Sequence, residues 1–280
     1  MLFKLTNEQR MIRAMAREFA RKEVAPTAAE RDRTKAYPSE NLAKLGDLGF
    51  LGMMVPAEYD GEGADTVSYA LALAEIAAAC ASTAVIMSVH NSIVCHSILR
   101  FGSKAQKETY LRPLARGEFI GAFALTEPQA GSDPVSQTTT AVQEGEAYIL
   151  NGAKRFITSG KHAEIVIVTA KTDESARHKG ISAFIVPKQT PGLVVGREED
   201  KMGLRASDTT DLLFEDCRVP AANLLGAQGQ GFKIAMTALD GGRIGIAAQS
   251  LGVAQAAFEA AVKYVKNRSQ FGQKVSKFQG

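Results

Sequence analysis

The sequence lacks the short motifs that mark several large classes of enzyme. It has no G-x-G-x-x-G after a predicted strand, no G-x-x-x-x-G-K-[ST], no G-x-S-x-G and no H-E-x-x-H. A Rossmann dinucleotide site, a P-loop, a nucleophile elbow and a zincin metal site are therefore not predicted. The four histidines, His90, His96, His162 and His178, lack the spacing of metal ligands, and we expect them to be structural.

Cysteine is scarce and the net charge is small. The three cysteines, Cys80, Cys95 and Cys217, are an odd number without C-x-x-C spacing, which predicts buried free thiols in a reducing compartment. The 33 basic and 30 acidic residues are interspersed and leave a net charge of +3, so neither nucleic acid nor an anionic membrane is an expected partner. The N-terminus shows no apolar signal segment. We expect a bacterial cytoplasmic protein, or a mitochondrial matrix protein if the chain is a processed eukaryotic one.

One long stretch carries no charge. Positions 76–99 contain no Asp, Glu, Lys or Arg, a length that could span a bilayer. Polar residues interrupt the stretch throughout, and Ser82-Thr83 resembles a helix N-cap that divides it. We expect two buried helices here and no membrane span.

The hydrophobic pattern divides the chain into three regions. Residues 1–118 show helical periodicity, beginning with a helix from Thr6 to Pro26. Residues 119–228 carry short β-branched or aromatic runs between turn dipeptides such as Asn151-Gly152, which favours an antiparallel barrel or sandwich. Helical patterning returns over 229–280, where we expect the first, incomplete part of a helical domain. The predicted fold class is α+β.

The segment 123–133, F-A-L-T-E-P-Q-A-G-S-D, leaves a predicted strand and enters a loop rich in glycine and proline. Gly131 allows the backbone to approach a ligand closely, and Ser132 adds a hydroxyl. On the residues alone, a loop that binds an anion or a heterocycle and a plain surface loop are equally favoured.

The same segment resembles the T-E-P-x-A-G-S-D signature of acyl-CoA dehydrogenases. Three further segments resemble motifs of that family in the same order: N-G-A-K-R-F-I-T-S-G at 151–160, M-G-L-R-A-S-D-T at 202–209 with F-E-D at 214–216, and R-x-x-F-G from 268 with a glutamine at 279. The matches cover essentially the whole chain. The resemblance implies a helical N-terminal domain, a β-barrel middle domain and a C-terminal helical bundle.

The resemblance also implies FAD as the cofactor and an acyl-CoA as the substrate. The positions that match flavin contacts are Phe123, Leu125, Thr126, Gly131, Ser132, Phe156, Ile157, Thr158, Arg268, Phe271 and Gln279. Ser132 would also bind the pantetheine arm, and Phe156 stands where the family commonly has a tryptophan. Arg268, Phe271 and Gln279 would reach the FAD of a neighbouring subunit, which implies a homo-oligomer, a dimer or a tetramer.

Two consecutive glycines interrupt a helical pattern at Gly241 and Gly242. Each costs about 1 kcal/mol relative to alanine, and close approach of a ligand or tight helix packing would explain them. The resemblance places Asp240, Gly241, Gly242 and Arg243 along the substrate channel. Gly242 matches the position where the isovaleryl-CoA branch carries its catalytic glutamate, and glycine cannot be a base. The base glutamate is therefore expected beyond Gly280, and neither Glu127 nor Asp133 is expected to replace it.

The implied reaction is the FAD-dependent α,β-dehydrogenation of a short-chain acyl-CoA to the trans-2-enoyl-CoA, as in β-oxidation of fatty acids. The electrons would pass to an electron-transferring flavoprotein. Two alternatives stay open: a non-catalytic flavin-binding relative or inactive truncated fragment, and an acyl-CoA oxidase that admits O₂ to the reduced flavin.

Overall fold

A computed structural model describes residues 4–278 of the chain. The N-terminal region is helical. Its helices are α1 (Asn7–Phe19), α2 (Ala25–Thr34), α3 (Ser39–Asp47), α4 (Thr66–Ala79), α5 (Ala81–Ser88), α6 (His96–Phe101), α7 (Lys104–Gln106) and α8 (Arg112–Ala115). Wider π-helical turns at Ala20–Val24, Val89–Cys95 and Lys107–Leu111 join α1 to α2, α5 to α6 and α7 to α8.

Helix α1 begins where the sequence predicts, because Thr6 and Gln9 form a capping box. The Thr6 hydroxyl accepts from the N–H of Gln9, and the Gln9 side chain accepts from the N–H of Thr6. The predicted stop at Pro26 is wrong. Pro26 falls in the first turn of α2, after the π-helical turn, where its missing N–H and fixed φ are tolerated.

The uncharged stretch forms two helices, as predicted, but the break lies earlier than Ser82. Cys80 adopts an extended conformation (φ −155°, ψ 108°) and separates α4 from α5, so Ser82 and Thr83 lie inside α5. By length and composition, Ala81–Phe101 could cross a membrane, yet 72% of its most apolar window is buried inside the protein. Asn91 in this segment is bonded internally, because its side-chain amide contacts backbone groups of Met53, Phe50 and Met87.

The middle region is a β-sheet. Its strands are β1 (Gly121–Ala124), β2 (Thr140–Glu144), β3 (Ala147–Thr158), β4 (Ile165–Lys171), β5 (Ile181–Pro187), β6 (Leu193–Glu198), β7 (Thr209–Pro220) and β8 (Leu224–Leu225). The order is β6-β7-β3-β2-β4-β5-β8, and β1 pairs with β4 in parallel.

The sheet is open, so the predicted β-barrel is wrong in this respect. Closure requires the two edge strands to pair along their length, and β6 and β8 are not paired within residues 4–278. Strand β8 has only two residues, and β2 pairs with β4 at one position only, Thr140 with Lys171. The helical N-terminal region, the sheet-rich middle and the C-terminal helix follow each other as predicted.

Strand β3 runs through Asn151-Gly152, where the sequence predicted a turn. The register with β7 shifts between Leu150 and Gly152, which makes this position a β-bulge. Gly152 has φ +147°, and a Cβ there would lie 2.5 Å from the Thr139 hydroxyl oxygen. A second shift lies between Lys154 and Ile157, and within it the N–H of Arg155 bonds to the carbonyl oxygen of Thr126 in the segment that follows β1.

Helix α9 (Gly231–Asn267) packs across α4 and α5 and is followed by a short hairpin, β9 (Ser269–Gln270) and β10 (Gln273–Lys274). Apolar side chains of the π-helical turn Val89–Cys95, of β4, of β5 and of α9 form a shared core, which includes Val94, Ile167, Ile185 and Ile234. All three cysteines are buried and free, as predicted.

Candidate functional site

The end of β1 is held against β3 by one backbone hydrogen bond. The N–H of Arg155 donates to the carbonyl oxygen of Thr126 at 2.8 Å. The N–H of Thr126 itself meets no hydrogen-bond acceptor among the residues that the structure describes. Phe123, Leu125 and Thr126 are each half-buried. The strand therefore ends on a half-buried segment with an available backbone donor.

A buried ion pair lies directly behind this segment. The ammonium of Lys154 is 2.7 Å from a carboxylate oxygen of Glu127, and the side chains are 0% and 1% exposed. Lys154 Nζ also contacts the carbonyl oxygen of Leu125 at 3.2 Å, Gln137 Oε1 at 3.1 Å and Thr169 Oγ1 at 3.4 Å. The sequence interpretation missed this pair, although both residues belong to the matched motifs.

The Glu127 carboxylate closes the loop 127–139. It accepts from the N–H of Thr138 at 2.5 Å and of Thr139 at 3.1 Å, while the backbone of Glu127 forms two hydrogen bonds with that of Ala130. Burial alone would raise the pKa of Glu127, but the Lys154 ammonium and these N–H groups outweigh it and lower the pKa to about 2. Glu127 is therefore ionised near neutral pH and too weakly basic to take a proton from a substrate.

Asp133 is equally unsuited to act as the base. Its carboxylate accepts from the N–H of Val135 at 3.2 Å and from the Ser136 hydroxyl, and the residue is exposed. It caps the short helical turn Pro134–Ser136 instead of facing a dry pocket. The expectation that neither Glu127 nor Asp133 is the base stays a prediction.

Gly131 and Ser132 lie at the exposed tip of the loop. A Cβ built on Gly131 would meet no atom within 4 Å. The space beside this backbone is therefore open to a ligand.

The end of β3 presents an aromatic ring. Phe156 is 56% exposed and has φ +59°, a left-handed conformation that side chains with a Cβ rarely adopt. The Arg155 guanidinium lies 5.1 Å from its ring centroid. Ile157 is buried in the sheet core and offers only its backbone, whereas Thr158 is half-buried. A large ring that is exposed on strained backbone is a feature of ligand-binding positions.

Residues outside the predicted set support the turn that follows Thr158. The Asp208 carboxylate accepts from the N–H of Lys161 at 2.7 Å, and its carbonyl accepts from the N–H of Ser159 at 3.1 Å. The Tyr37 hydroxyl donates to Ser159 Oγ at 3.3 Å. Asp208 belongs to the matched motif at 202–209, but no sequence signal indicated Tyr37.

On α9, the double glycine serves helix packing. A Cβ on Gly242 would lie 3.2 Å from the Ile93 side chain, and one on Gly241 would lie 3.1 Å from the Ser92 carbonyl oxygen. Asp240 and Arg243 are exposed and form an ion pair with each other. Of the four predicted channel residues, these two have side chains open to a ligand.

The third predicted group follows α9. The N–H of Arg268 donates to the Tyr264 carbonyl at 2.8 Å and ends the helix, and Phe271 lies on the hairpin with 94% of its surface exposed. The Phe271 ring meets that of Phe278 edge-on at 6.3 Å. Gln279 lies outside the described residues.

Comparison with known proteins places this geometry in a family. Three models match in order: the acyl-CoA dehydrogenase N-terminal domain over 6–118, the middle domain over 122–217 and the C-terminal domain over 229–280. The Mus musculus protein "Short-chain specific acyl-CoA dehydrogenase, mitochondrial" is 52% identical over 275 residues, which is 98% of this chain and 67% of that protein.

Solved structures agree. The butyryl-CoA dehydrogenase from Megasphaera elsdenii superposes with a TM-score of 0.96 at 47% identity, covering 99% of this chain and 74% of that chain. A chain in a structure of the electron transferring flavoprotein of Acidaminococcus fermentans gives a TM-score of 0.98 at 51% identity, covering 99% and 73%. The chain belongs to the acyl-CoA dehydrogenase family, and the predictions of this family and of an enzyme are confirmed.

The residues present fit a flavin. An isoalloxazine ring needs backbone donors at its pyrimidine end and an apolar cover on its face. Thr126 offers an N–H without an acceptor in the described part of the chain, Phe156 offers an exposed ring next to Arg155 on β3, and Gly131 leaves open space.

Proposed function

We propose that this protein dehydrogenates a short-chain acyl-CoA to the trans-2-enoyl-CoA, with FAD as its cofactor. One observation carries the proposal. The bond from Arg155 N–H to Thr126 O joins the segment after β1 to β3, so that the available Thr126 N–H lies beside the part of β3 that carries the exposed Phe156 ring. Family membership supplies the reaction class and the cofactor.

The chain's own residues would hold and tune the flavin. Backbone groups of Phe123, Leu125 and Thr126 bind its pyrimidine end and stabilise negative charge that develops there. Phe156 covers one face, and Thr158 places its hydroxyl beside the reacting edge, with the Ile157 backbone between them. When bound, FAD supplies the two-electron acceptor, which takes a hydride from the substrate β-carbon while a base takes the α-proton.

The thioester would lie between the loop and α9. Gly131 and Ser132 contact the cofactor phosphate and the pantetheine arm, since this loop tip is open. Asp240 and Arg243 line the channel with their exposed side chains, and Gly241 and Gly242 let α9 approach the rest of the protein closely. The base glutamate expected beyond Gly280 stays a prediction.

The proposed substrate length, electron acceptor, oligomer and localisation are inferred from similar proteins and from the family resemblance. The short-chain preference rests on the mouse relative and the Megasphaera enzyme, and the electron-transferring flavoprotein as partner rests on the Acidaminococcus structure. Arg268, Phe271 and Gln279 would reach the FAD of a neighbouring subunit in a homo-oligomer. The mouse relative is mitochondrial by name, and we propose a mitochondrial matrix or bacterial cytoplasmic enzyme.

Anaerobic titration tests the proposal. Protein expressed from its complete gene should be yellow, and butyryl-CoA should bleach the flavin. Acetyl-CoA is the matched control, because it has a thioester but no β-carbon from which hydride can leave. A flavin that stays yellow with butyryl-, octanoyl- and isovaleryl-CoA would contradict the proposal. Fast reoxidation of bleached enzyme by air would indicate the oxidase instead.

A further inference from the structure

The Lys154–Glu127 pair occupies a position that stability alone does not explain. Within residues 4–278 no other ion pair has both side chains so completely out of solvent. Burying two charges costs several kcal/mol per ion, and well-packed apolar residues often give a more stable protein. A buried pair behind a cofactor loop therefore suggests a role in function.

The hydrogen-bond stoichiometry of Lys154 shows what that role involves. An ammonium has three hydrogens, and four acceptors surround Nζ: Glu127 Oε1 at 2.7 Å, Gln137 Oε1 at 3.1 Å, the Leu125 carbonyl oxygen at 3.2 Å and Thr169 Oγ1 at 3.4 Å. The acceptors therefore compete, and the backbone carbonyl of Leu125 is one of them.

The Leu125 carbonyl belongs to the same peptide unit as the N–H of Thr126. A hydrogen bond from a charged donor to a carbonyl polarises the peptide and strengthens its N–H as a donor. The Thr126 N–H has no acceptor among the residues that the structure describes, so the added donor strength is available to a ligand.

We propose that Lys154 is a positioning residue that strengthens the Thr126 N–H as a donor to the pyrimidine end of the flavin, while Glu127 holds the ammonium in place and closes the loop 127–139. The inference rests on the proposed flavin site. A donor at the pyrimidine end binds reduced flavin, which carries more negative charge, better than oxidised flavin. Lys154 therefore raises the reduction potential of the bound FAD.

The charge of Lys154 persists at neutral pH. Burial lowers the pKa of its ammonium to about 8, because loss of water outweighs the attraction of Glu127. The group that contacts Leu125 is thus still mainly a cation at pH 7.

A double variant, Lys154→Met with Glu127→Gln, removes both charges and leaves no unpaired ion. The Gln side chain still accepts from the N–H groups of Thr138 and Thr139. We expect the ratio of affinities for reduced and oxidised FAD to fall about tenfold, a shift of about 30 mV to more negative potential in a dye-coupled reductive titration. The control, Lys44→Met with Glu23→Gln, neutralises an exposed pair and leaves the potential unchanged.

Thr169→Val is a second, milder variant that keeps the ion pair. It removes the most distant competing acceptor, so that each ammonium hydrogen has one partner, and we expect the potential to rise. The inference would be overturned if the reduction potential of FAD were unchanged in both variants, or in Thr169→Val alone if the double variant does not fold. The proposed function would still stand in that case, provided that the wild-type protein binds FAD. A wild-type protein that does not bind FAD at all would refute both.

Discussion

The Tyr37 ring lies parallel to the His162 imidazole, with centroids 3.9 Å apart and planes 6° apart. Tyr37 comes from the segment between α2 and α3, and His162 from the turn after β3. Burial raises the pKa of Tyr37, so its hydroxyl stays protonated and donates to Ser159 Oγ. The helical region thus clamps the turn that follows Thr158.

Two substitutions of Tyr37 should distinguish the contribution of its ring, which stacks on His162, from that of its hydroxyl. Tyr37→Phe keeps the stack and should lower the free energy of unfolding by about 1 kcal/mol. Tyr37→Ala should cost about 3 kcal/mol and weaken FAD binding several-fold, because the turn loses its support. Urea unfolding and fluorescence titration with FAD measure the two effects. The control is Tyr110→Phe, which loses a hydrogen bond to Asn223 with no effect on FAD; equal FAD affinity in Tyr37→Ala and wild type would contradict the clamp.

The acid stability of the protein should depend on Glu127. Its folded pKa, about 2, lies below the ordinary value of 4.5, so the unfolded chain binds the proton more tightly. The contribution to stability is therefore complete above about pH 4.5 and disappears as the pH falls toward 2, a change on the order of 3 kcal/mol.

Comparison of wild type with Glu127→Gln isolates this contribution. Glu127→Gln leaves the Lys154 ammonium buried without a counter-charge and should cost about 3–5 kcal/mol at pH 7. The difference in unfolding free energy between wild type and Glu127→Gln should become steadily smaller as the pH falls from 4.5 to 3. Glu18→Gln, at an exposed pair with Lys22, should show almost no difference at any pH. A wild-type advantage that does not change with pH would contradict the assignment.

The sequence predicts some features of the fold and of the candidate site and not others, because some depend on local contacts and others on contacts between distant segments. The signal for the start of α1 at Thr6 is local, and the sequence predicts that start correctly. Asn-Gly is a common hairpin turn, and the sequence does not show that Thr139, just before β2, lies so close to position 152 that a side chain there would collide with it. The sequence also gives no sign that Lys154 is buried, because its partners come from the segment after β1, from β4 and from the loop 127–139. Sheet closure depends on edge strands that meet only in three dimensions.

The long helix α9 depends on glycines that the sequence interpretation did not single out. A Cβ on Gly252 would lie 2.1 Å from the Ala74 carbonyl oxygen, which is rigid backbone of α4. Gly252→Ala should therefore separate α9 from α4 and cost about 2–3 kcal/mol. Gly241→Ala has its nearest contact at 3.1 Å, and the gain in helix propensity should offset most of the crowding. Thermal unfolding of the two variants should give clearly different midpoints; equal midpoints would show that α9 does not pack on α4 at Gly252.

Phe156 should show opposite effects on stability and on cofactor binding. Its left-handed backbone, φ +59°, costs a non-glycine residue about 1–3 kcal/mol, and its ring gains little from packing because it is mostly exposed. Phe156→Gly should therefore stabilise the protein without FAD by about 1 kcal/mol and weaken FAD binding at least tenfold. Phe156→Trp keeps an aromatic cover and should bind FAD as tightly as wild type, without the gain in stability. Urea unfolding of the FAD-free proteins and FAD titration decide the matter. If Phe156→Gly is less stable than wild type, the Phe156 ring stabilises the fold by packing. If Phe156→Gly keeps the wild-type affinity for FAD, the strained backbone at Phe156 has no role in cofactor binding.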